Sequence, residues 1–375
     1  KKCTLYPYNS QLSAGQSKKI TCYGVVGLDE GSRFEYDFNI TYTDIKTQAQ
    51  YVITPDVELI GTIVDGSELH TGQSTCSDLD NYGENPLVSC TSAHLSQDGN
   101  ADGTAKSFTN MGNNVIRDDH TGLYWTTNET ADITRANAIT YCDGLTQGGS
   151  SSWRLPNMVE LTTVMNSGTA SNPSPNGEWT NDAYWSSTSQ SDPYYWYLNF
   201  GDGYFYGNRN ANAAQASVRA VCVRGSTTGI TLSDGEKSFV DVGDGTVVDT
   251  DTGIIWTQAA NYTSSNYWNN SVTYCDTLET GGYTDWRLPT ASEGATLIDY
   301  SCESAGGDCF ARYMNGVFTH GYSEDPSDWQ NLYYWAGTTP PSDTGLAYYV
   351  YMGNGVVNFD SKDGDFSVRC VRDHG

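Results

Sequence analysis

The chain has 375 residues, which is enough for two or three domains with a buried core. Its 45 acidic residues outnumber its 19 basic residues, and a formal charge of −26 repels nucleic-acid phosphates and anionic lipid headgroups. No apolar run approaches the roughly 18 residues that a membrane-spanning helix needs. We therefore expect no nucleic-acid partner and no membrane span, and we expect Lys1 to follow a processing or truncation point.

The composition favours short strands, many loops and an extracellular setting. Aromatic residues make up 13% of the chain and charged residues only 17%, a mixture that suits tyrosine-rich contact surfaces. The ten cysteines form no Cys-x-x-Cys motif, so disulfides are favoured over zinc or redox sites. Sequons provide four candidate glycosylation sites: Asn39, Asn128, Asn261 and Asn269. Cysteines and sequons together favour an oxidising compartment, outside the cell or at its surface.

Residues 1–66 are predicted to form a small all-β module. Apolar and polar residues alternate in 33–43 and 57–64, with glycine-rich turns between them, as in half-buried strands. Cys3 and Cys22 are expected to pair within this module. Because a module with so few strands has unpaired sheet edges, we expect it to complete its sheet with the following domain or with a neighbouring subunit.

The rest of the chain carries five sequence blocks twice, in the same order, which predicts two homologous domains at 67–225 and 226–375. The paired blocks are 118–126 with 249–257, 141–143 with 274–276, 153–156 with 286–289, 184–188 with 334–338, and 217–219 with 367–369. The second copy gains 17 residues before its Tyr-Trp block. Cys302 and Cys309 lie in this insertion and are expected to pair with each other.

Each copy is predicted to contain two helices. In the first helix of copy one, one face carries residues three positions apart, and two glycines are expected to end the helix. These face residues are Ile133, Ala136, Ile139, Cys142 and Leu145, and the glycines are Gly148 and Gly149, with Gly281 and Gly282 in copy two. The second helix should start at a capping box, Thr290 to Glu293 in copy two and Asn157 to Glu160 in copy one.

The Trp-Arg-Leu-Pro block stands directly before the second helix of each copy. Trp153 and Trp286 are predicted core residues, while Arg154 and Arg287 are expected to hold a loop or a carboxylate rather than a substrate.

The remaining cysteines suggest one long-range disulfide in each copy. The pairing that joins the first helix to the last strand is Cys142–Cys222 in copy one and Cys275–Cys370 in copy two. The cysteine moves by two residues along the strand between the copies, so it keeps its face. Cys76–Cys90 completes the predicted set and leaves no free thiol.

The shared blocks resemble the Lcl C-terminal-type domain, a family of secreted C-type-lectin-like modules that often occur in tandem. Six motifs carry the resemblance: Thr-Gly-Leu-x-Trp, Tyr-Cys, Trp-Arg-Leu-Pro, Glu-Leu, Tyr-Trp-Ser-Ser and a terminal Val-Arg…Cys-Val-Arg. In copy one they stand at 121–125, 141–142, 153–156, 160–161, 184–187 and 218–224. Copy two carries the resemblance at 252–256, 274–275, 286–289, 334–338 and 368–372. Copy two departs from the pattern at Gly294, which replaces Leu161, and at Ala336-Gly337, which replaces Ser-Ser.

The resemblance implies an α+β fold with two tandem C-type-lectin-like domains, each with two helices and small antiparallel sheets, and it implies a surface protein. Residues 1–66 also resemble the immunoglobulin-like part of archaeal pilin-type surface proteins, through the run 12–17, Cys22, 34–43 and Gly61. The predicted architecture is therefore a small immunoglobulin-like β-module followed by the two lectin-like domains.

The sequence carries no complete catalytic or metal-binding motif. There is no Gly-x-Ser-x-Gly, His-Glu-x-x-His or P-loop. Asp98, Asn100 and Asp102 resemble the start of an EF-hand loop, but Thr109 stands where that loop needs a glutamate, so a polar turn is the alternative interpretation. Calcium is the only cofactor considered for the acidic loops, and no enzymatic activity is expected.

The functional prediction rests on tyrosine-rich segments before the last strand of each copy. In a lectin-like fold this region forms the binding face, and its composition resembles that of binding loops. The candidate ligand-binding residues are Tyr204, Tyr206, Asn208, Arg209 and Asn210 in copy one and Tyr349, Tyr351 and Asn354 in copy two.

We therefore predict a non-enzymatic extracellular protein, an adhesin or a subunit of a surface filament, whose partners are copies of itself, another surface protein or a glycan. One alternative is a receptor-binding protein whose loops are diversified by a retroelement. Another is a secreted enzyme of the formylglycine-generating type, which shares the Arg-Leu-Pro-Thr motif but needs a reactive cysteine pair or a histidine metal triad that this sequence lacks.

Overall fold

The computed structural model of the chain contains two compact units, residues 1–65 with Gly375 and residues 66–374. The residues that the structure describes are 34–35, 40–43, 50–53, 58–59, 71, 73–78, 87–90, 97–101, 106–165, 179–191, 194–200, 204–210, 218–225, 232, 234–235, 237–262, 267–300, 317–319, 333–340, 343–352 and 355–372. Among them no helix is long and apolar enough to cross a bilayer.

The first unit contains four short strands in its described part. These are β1 (Phe34–Glu35), β2 (Ile40–Thr43), β3 (Gln50–Ile53) and β4 (Glu58–Leu59). β2 pairs antiparallel with β3, and β1 pairs antiparallel with β4. β1, β2 and β4 fall within the segments with predicted alternation, whereas β3 lies between them. Two short pairs do not identify an immunoglobulin-like module, which stays a prediction. Cys3 and Cys22 lie outside the described residues.

The second unit begins with a small folded segment, residues 71–101, which we call the clip. It contains β5 (Thr75–Ser77), β6 (Leu87–Ser89) and α1 (Asp98–Ala101). β5 and β6 pair antiparallel, and the Cys76–Cys90 disulfide joins the two sides of this hairpin.

Repeat one, here residues 106–225, has two four-stranded sheets and two helices in its described part. Its elements are β7 (Phe108–Gly112), β8 (Val115–Asp118), β9 (Tyr124–Thr126), α2 (Arg135–Asp143), α3 (Met158–Thr163), β10 (Ala183–Ser191), β11 (Tyr194–Asn199), β12 (Tyr204–Asn210), β13 (Val218–Arg219) and β14 (Val223–Arg224). The sheet orders are β14-β9-β8-β7 and β12-β11-β10-β13. All neighbouring strands run antiparallel except β10 and β13, which are parallel.

Repeat two, here residues 237–372, follows the same plan. Its elements are β15 (Phe239–Asp241), β16 (Thr246–Asp249), β17 (Ile255–Thr257), α4 (Trp268–Asp276), a 3₁₀ turn (Thr280–Gly282), α5 (Ala291–Thr296), β18 (Tyr333–Trp335), β19 (Leu346–Tyr351), β20 (Val356–Ser361) and β21 (Val371–Arg372). The sheet orders are β15-β16-β17-β21 and β18-β19-β20. The structure thus shows a mixed α+β fold of small sheets. It leaves the C-type-lectin-like identity untested.

The first helix of repeat one differs from its prediction. α2 begins after Thr134, whose side chain accepts a hydrogen bond from the Asn137 amide, so Ile133 precedes the helix. Ala138 and Cys142 are buried while Ala136 is exposed, so the predicted face was wrong at that position. The helix also ends at Asp143 with Gly144 as its cap. The predicted stop, Gly148-Gly149, lies in the following turn, where both residues have positive φ.

Three of the five predicted disulfide pairs are present: Cys76–Cys90, Cys142–Cys222 and Cys275–Cys370. The last two join α2 and α4 to the segments that lead into β14 and β21, and all four of their cysteines are fully buried in the hydrophobic cores of the two repeats. Cys302 and Cys309 lie outside the described residues.

The two repeats pack against each other through their second helices. Ser292 in α5 donates to the carbonyl oxygen of Thr162 in α3 at 3.0 Å. The rings of Trp196 and Tyr300, one from each repeat, meet edge to face at 5.1 Å. The sequence repeats are therefore two halves of one compact unit.

Candidate functional site

The Trp-Arg-Leu-Pro motif builds the start of the second helix in both repeats. Arg287 donates two hydrogen bonds to Glu293, at 2.8 and 2.7 Å, and Arg154 makes the same fork with Glu160. Each glutamate also belongs to a complete capping box, with Thr290 in α5 and its counterpart in α3. Both predicted arginines therefore hold a carboxylate that caps a helix, a structural role.

A threonine in each repeat links the start of the second helix to an aspartate from another segment. Thr188 accepts from the Met158 amide at 2.8 Å and donates to Asp234 at 2.6 Å. Thr338 accepts from the Ala291 amide at 2.9 Å and donates to Asp98 of the clip.

Asp98 is therefore part of a buried polar cluster. Its carboxylate also accepts a hydrogen bond from Thr71, at 2.6 Å. Burial raises its pKa to about 6, although the two threonine hydroxyls oppose that rise. The predicted calcium site stays a prediction for its other two residues, because the side chain of Asn100 and all of Asp102 lie outside the described residues. Within the described part of the chain, no cluster of three or more His, Cys, Asp or Glu residues could hold a metal ion.

Lys362 is a second buried charge at the contact between the clip and repeat two. Its ammonium group donates to Ser77 at 2.5 Å, to Thr339 at 3.0 Å and to the Thr344 carbonyl at 2.9 Å. It also lies 4.1 Å from the centroid of the Trp268 ring. Burial lowers the pKa of Lys362 to about 7.

Repeat two carries a strip of aromatic side chains on one face of the β18-β19-β20 sheet, formed by Tyr333, Trp335, Tyr349, Tyr351 and Phe366. Tyr333 stacks on Tyr351 with ring centroids 4.1 Å apart and on Phe366 at 5.0 Å. Phe366 contacts Trp335 at 4.4 Å, and Trp335 is fully buried. The other four side chains are half-buried, so the strip runs from the core towards the solvent.

Polar side chains continue this face onto the neighbouring strand. Asn358 stands opposite Tyr349, and Asp360 stands opposite Ala347. Directly opposed residues of paired strands share a face of the sheet. Asp360 is exposed and Asn358 half-buried. Burial, followed by the neighbouring Tyr351, raises the pKa of Tyr333, so the Tyr333 hydroxyl stays protonated at neutral pH.

The structure brings two of the predicted ligand-binding residues, Tyr349 and Tyr351, into the aromatic strip. Asn354 lies outside the described residues. The five candidates of copy one all lie on β12: Tyr204, Tyr206, Asn208, Arg209 and Asn210. The backbone of β12 pairs with β11, and its Cα atoms come within 8 Å of those of β20 in the other repeat. The β12 side chains lie outside the description.

Sequence reasoning missed Tyr333 and Phe366, which complete the strip. The sequence signal that could have indicated Tyr333 was a difference between the two copies at this position. Ala183 occupies the position of Tyr333 in repeat one and stands opposite Asn199, whereas Tyr333 stands opposite Tyr351. The aromatic pair is therefore particular to repeat two.

Three of the four sequon asparagines lie in described segments, with different accessibility. Asn128 is exposed. Asn261 is half-buried and its backbone forms a bridge with Val368. Asn269 is half-buried in α4. Asn39 lies outside the described residues.

Comparison with protein families supports the repeat. The family model described as the Lcl C-terminal domain matches residues 114–224 and residues 245–372. The two matches cover more than half of the chain, one in each repeat. Comparisons with the curated proteins and with the solved structures found no match.

Proposed function

Because the chain belongs to the Lcl C-terminal domain family, we propose that it is a non-enzymatic extracellular surface protein, an adhesin, a filament subunit or both. The family itself suggests a secreted or surface protein, and three disulfides fit an oxidising compartment. The proposal includes a C-type-lectin-like fold for both repeats and an immunoglobulin-like module at residues 1–66.

The aromatic strip of repeat two is the observation that carries the adhesive function. Tyrosines give a large contact area at low entropic cost, and their hydroxyls supply hydrogen bonds at the rim. Stacking fixes the rings of Tyr333 and Tyr351 before any partner arrives, which lowers the ordering cost of binding. Asn358 and Asp360 add an amide and a carboxylate on the same face.

The partner of this face is another surface protein or a glycan. Both combine apolar patches with hydrogen-bonding groups, as the strip does. The acidic chain and the exposed Asp360 disfavour a strongly anionic partner.

A binding assay with matched variants tests the adhesive function. Fluorescently labelled chains would be applied to cells and to an array of immobilised glycans, with Tyr351→Ala and Tyr333→Ala as test variants. Met111→Ala is the control, because it removes exposed apolar surface from β7 of repeat one, which is not part of the strip. We expect the tyrosine variants to lose binding and the Met111 variant to keep it. Equal binding by all chains would reject the strip as the adhesive face.

Direct imaging tests the filament function. Electron micrographs of the full chain at high concentration should show polymers, and a purely monomeric population would leave adhesion as the function.

We also propose that Asn128 carries glycan when the chain is made in a glycosylating host, because it is exposed. Peptide mass analysis that finds Asn128 unmodified in such a host would contradict this.

A further inference from the structure

A buried lysine with two hydroxyl neighbours lies where the clip meets repeat two. The side-chain nitrogen of Lys362 donates to the hydroxyl oxygens of Ser77, at 2.5 Å, and of Thr339, at 3.0 Å. It also donates to the Thr344 carbonyl at 2.9 Å. Lys362 is only 3% exposed, and a charged ammonium group is costly to bury. Burial lowers the pKa of Lys362 to about 7, so the neutral amine is a major form of this side chain at neutral pH.

The neutral amine suits these three neighbours. It has two N–H groups and one lone pair, where the ammonium ion has three N–H groups. The Ser77 hydroxyl and the Thr344 carbonyl can accept the two N–H groups. The lone pair is then left for the proton of the Thr339 hydroxyl, so Lys362 can act as a base towards that hydroxyl.

The side-chain amide of Gln73, in the clip, lies beside Thr339. The Thr339 backbone amide donates to Gln73 Oε1 at 2.7 Å, and Gln73 Nε2 donates to the Thr75 carbonyl at 2.8 Å. Both ends of the carboxamide are therefore held. Within Thr339 only three bonds separate the backbone nitrogen from the hydroxyl oxygen. Gln73 and Thr339 are 4% and 2% exposed, so these groups are shielded from bulk water.

Together these groups make the arrangement that acyl transfer requires. In serine hydrolases the backbone N–H of the nucleophile itself donates to the carbonyl oxygen under attack, and a lysine can serve as the base. Here Thr339 supplies both the hydroxyl and the N–H group. Lys362 supplies the base, and Gln73 supplies the acyl group within the same chain.

We propose that Thr339 and Gln73 form an ester bond, which joins the clip covalently to repeat two. Lys362 takes the proton of the Thr339 hydroxyl, and the oxygen bonds to Cδ of Gln73. The Thr339 amide stabilises the negative charge that develops on Gln73 Oε1. The C–N bond of the carboxamide then breaks, Lys362 returns the proton to the leaving nitrogen, and ammonia departs. No other reactant is needed, and burial protects the ester from hydrolysis.

Repeat one lacks the reacting groups at the equivalent contact. Ser189, the counterpart of Thr339, is exposed. The segment 204–216, which corresponds to that of Lys362, contains no lysine. The segment 226–236 contacts the start of the second helix of repeat one and contains no glutamine. A contact at this place therefore forms without the three groups, so the fold does not account for their presence in repeat two.

The intact mass of the full chain, measured after its disulfides are reduced, tests the proposal. We expect a mass lower than that of the sequence by one molecule of ammonia. Digestion should give a branched peptide that contains positions 73 and 339, and mild hydroxylamine, which cleaves esters but not amides, should separate its two arms. A chain with the full mass of its sequence would overturn the proposal.

Matched variants assign the reaction to these residues. Thr339→Val removes the nucleophile and Lys362→Met removes the base, so both chains should keep the full mass. Ser189→Val makes the equivalent change in repeat one and should still lose ammonia. A loss of ammonia that persists in Thr339→Val would belong to another reaction and reject the ester. A branched peptide that joins positions 73 and 362 and resists hydroxylamine would also reject it, because the lysine would then be the nucleophile. If a variant fails to fold, the wild-type mass and branched peptide still decide.

Discussion

The two repeats keep the same arginine before the last strand, half-buried in repeat one and buried in repeat two, but surround it with different partners. In repeat one, Arg219 forms ion pairs with Glu129 at 2.8 Å and Asp182 at 2.7 Å. In repeat two, Arg369 is 1% exposed, donates to the Thr257 and Gln258 carbonyls and lies over an aromatic ring. Both repeats thus place a guanidinium at this position, while its burial and the groups that satisfy it differ between the repeats.

A second difference concerns the cation–π contact beside the first helix. Arg135 of α2 donates to the Ser186 carbonyl and lies 3.8 Å from the centroid of Tyr195. The equivalent residue of α4, Trp268, donates to the Ala336 carbonyl and provides the ring under a lysine. In repeat one the helix supplies the cation, whereas in repeat two the helix supplies the ring. The comparison teaches that the repeats share positions and hydrogen-bond geometry rather than residue chemistry.

The largest expected effect concerns the two Arg–Glu pairs. The side chains of Arg287 and Glu293 are 5% and 0% exposed, whereas that of Arg154 is 43% exposed. Arg287→Met leaves a buried carboxylate without its cation and should lower the free energy of unfolding by about 3–5 kcal/mol. Arg154→Met should cost less, about 1–3 kcal/mol, because the Glu160 side chain is 5% exposed but the place of the half-exposed Arg154 is open to water.

Urea denaturation of the full chain measures both values. The double variant Arg287→Met/Glu293→Gln should regain much of the loss, since no buried charge remains unpaired. Equal losses at Arg287 and Arg154 would show that burial does not distinguish the pairs.

The next effect concerns the residue at which the second helices differ. A Cβ atom on Gly294 would lie 2.4 Å from Val350, so glycine allows α5 to lie close to β19, while Leu161 fills the equivalent place in α3. Gly294→Ala should destabilise the chain by about 1–3 kcal/mol through overpacking, despite the better helix propensity of alanine. Thermal denaturation measures the loss. Adding Val350→Ala should reverse much of it, and a stabilised single variant would contradict the argument.

A smaller effect is the pH dependence that Asp98 gives to repeat two. Its pKa is raised to about 6 in the folded chain, so its contribution to stability is present at low pH and is lost as the pH rises through 6. Between pH 5 and 8 the wild type should lose about 1 kcal/mol relative to Asp98→Asn, by the conversion of pKa shifts into free energy. Denaturation series of both chains across this range provide the measurement.

Two further variants sharpen the assignment of this pH dependence. Thr338→Val removes a hydrogen bond that lowers the Asp98 pKa, so the transition should move to higher pH. The lowered pKa of Lys362 acts with the opposite sign, because its contribution is lost as the pH falls through 7, and Lys362→Met should remove that loss. Parallel profiles for wild type and Asp98→Asn would reject the role of Asp98.

The smallest expected effect concerns an ion pair for which repeat one has no counterpart. Arg372 forms a fork with Asp285 at 2.8 Å, and Ser152 occupies the position of Asp285 in repeat one. The Asp285 side chain is 58% exposed, so Asp285→Asn should cost less than about 1 kcal/mol. The pair lowers the Asp285 pKa, and its contribution should disappear as the pH falls below the normal range of aspartate. A loss as large as that of Arg287→Met would be the contrary result.

The sequence predicts local structure well where the signal is short in range. The capping boxes at Asn157 and Thr290 are present because each depends on residues three positions apart. The pairing of Cys142 with Cys222 followed from the order of helix and strand, which the repeat made visible.

The sequence could not predict which segments meet across the unit. Nothing near Asp98 in the sequence indicates that Thr338 is its partner, because the contact depends on how the repeats pack. The aromatic strip was found only in part for a similar reason. Tyr349 and Tyr351 stand in an evident tyrosine run, whereas Tyr333 and Phe366 reach the same face from other parts of the chain.

The clip also sets an order of events during synthesis. Ser77 leaves the ribosome long before Lys362, which follows 285 residues later, so the clip must wait for repeat two before it can dock. Closing so long a loop is entropically costly and slow compared with forming the local hairpin. Its own disulfide and the Gln97 contacts allow the clip to fold first and remain folded during that interval. Docking of the clip is thereby a step that can follow only after repeat two has been made.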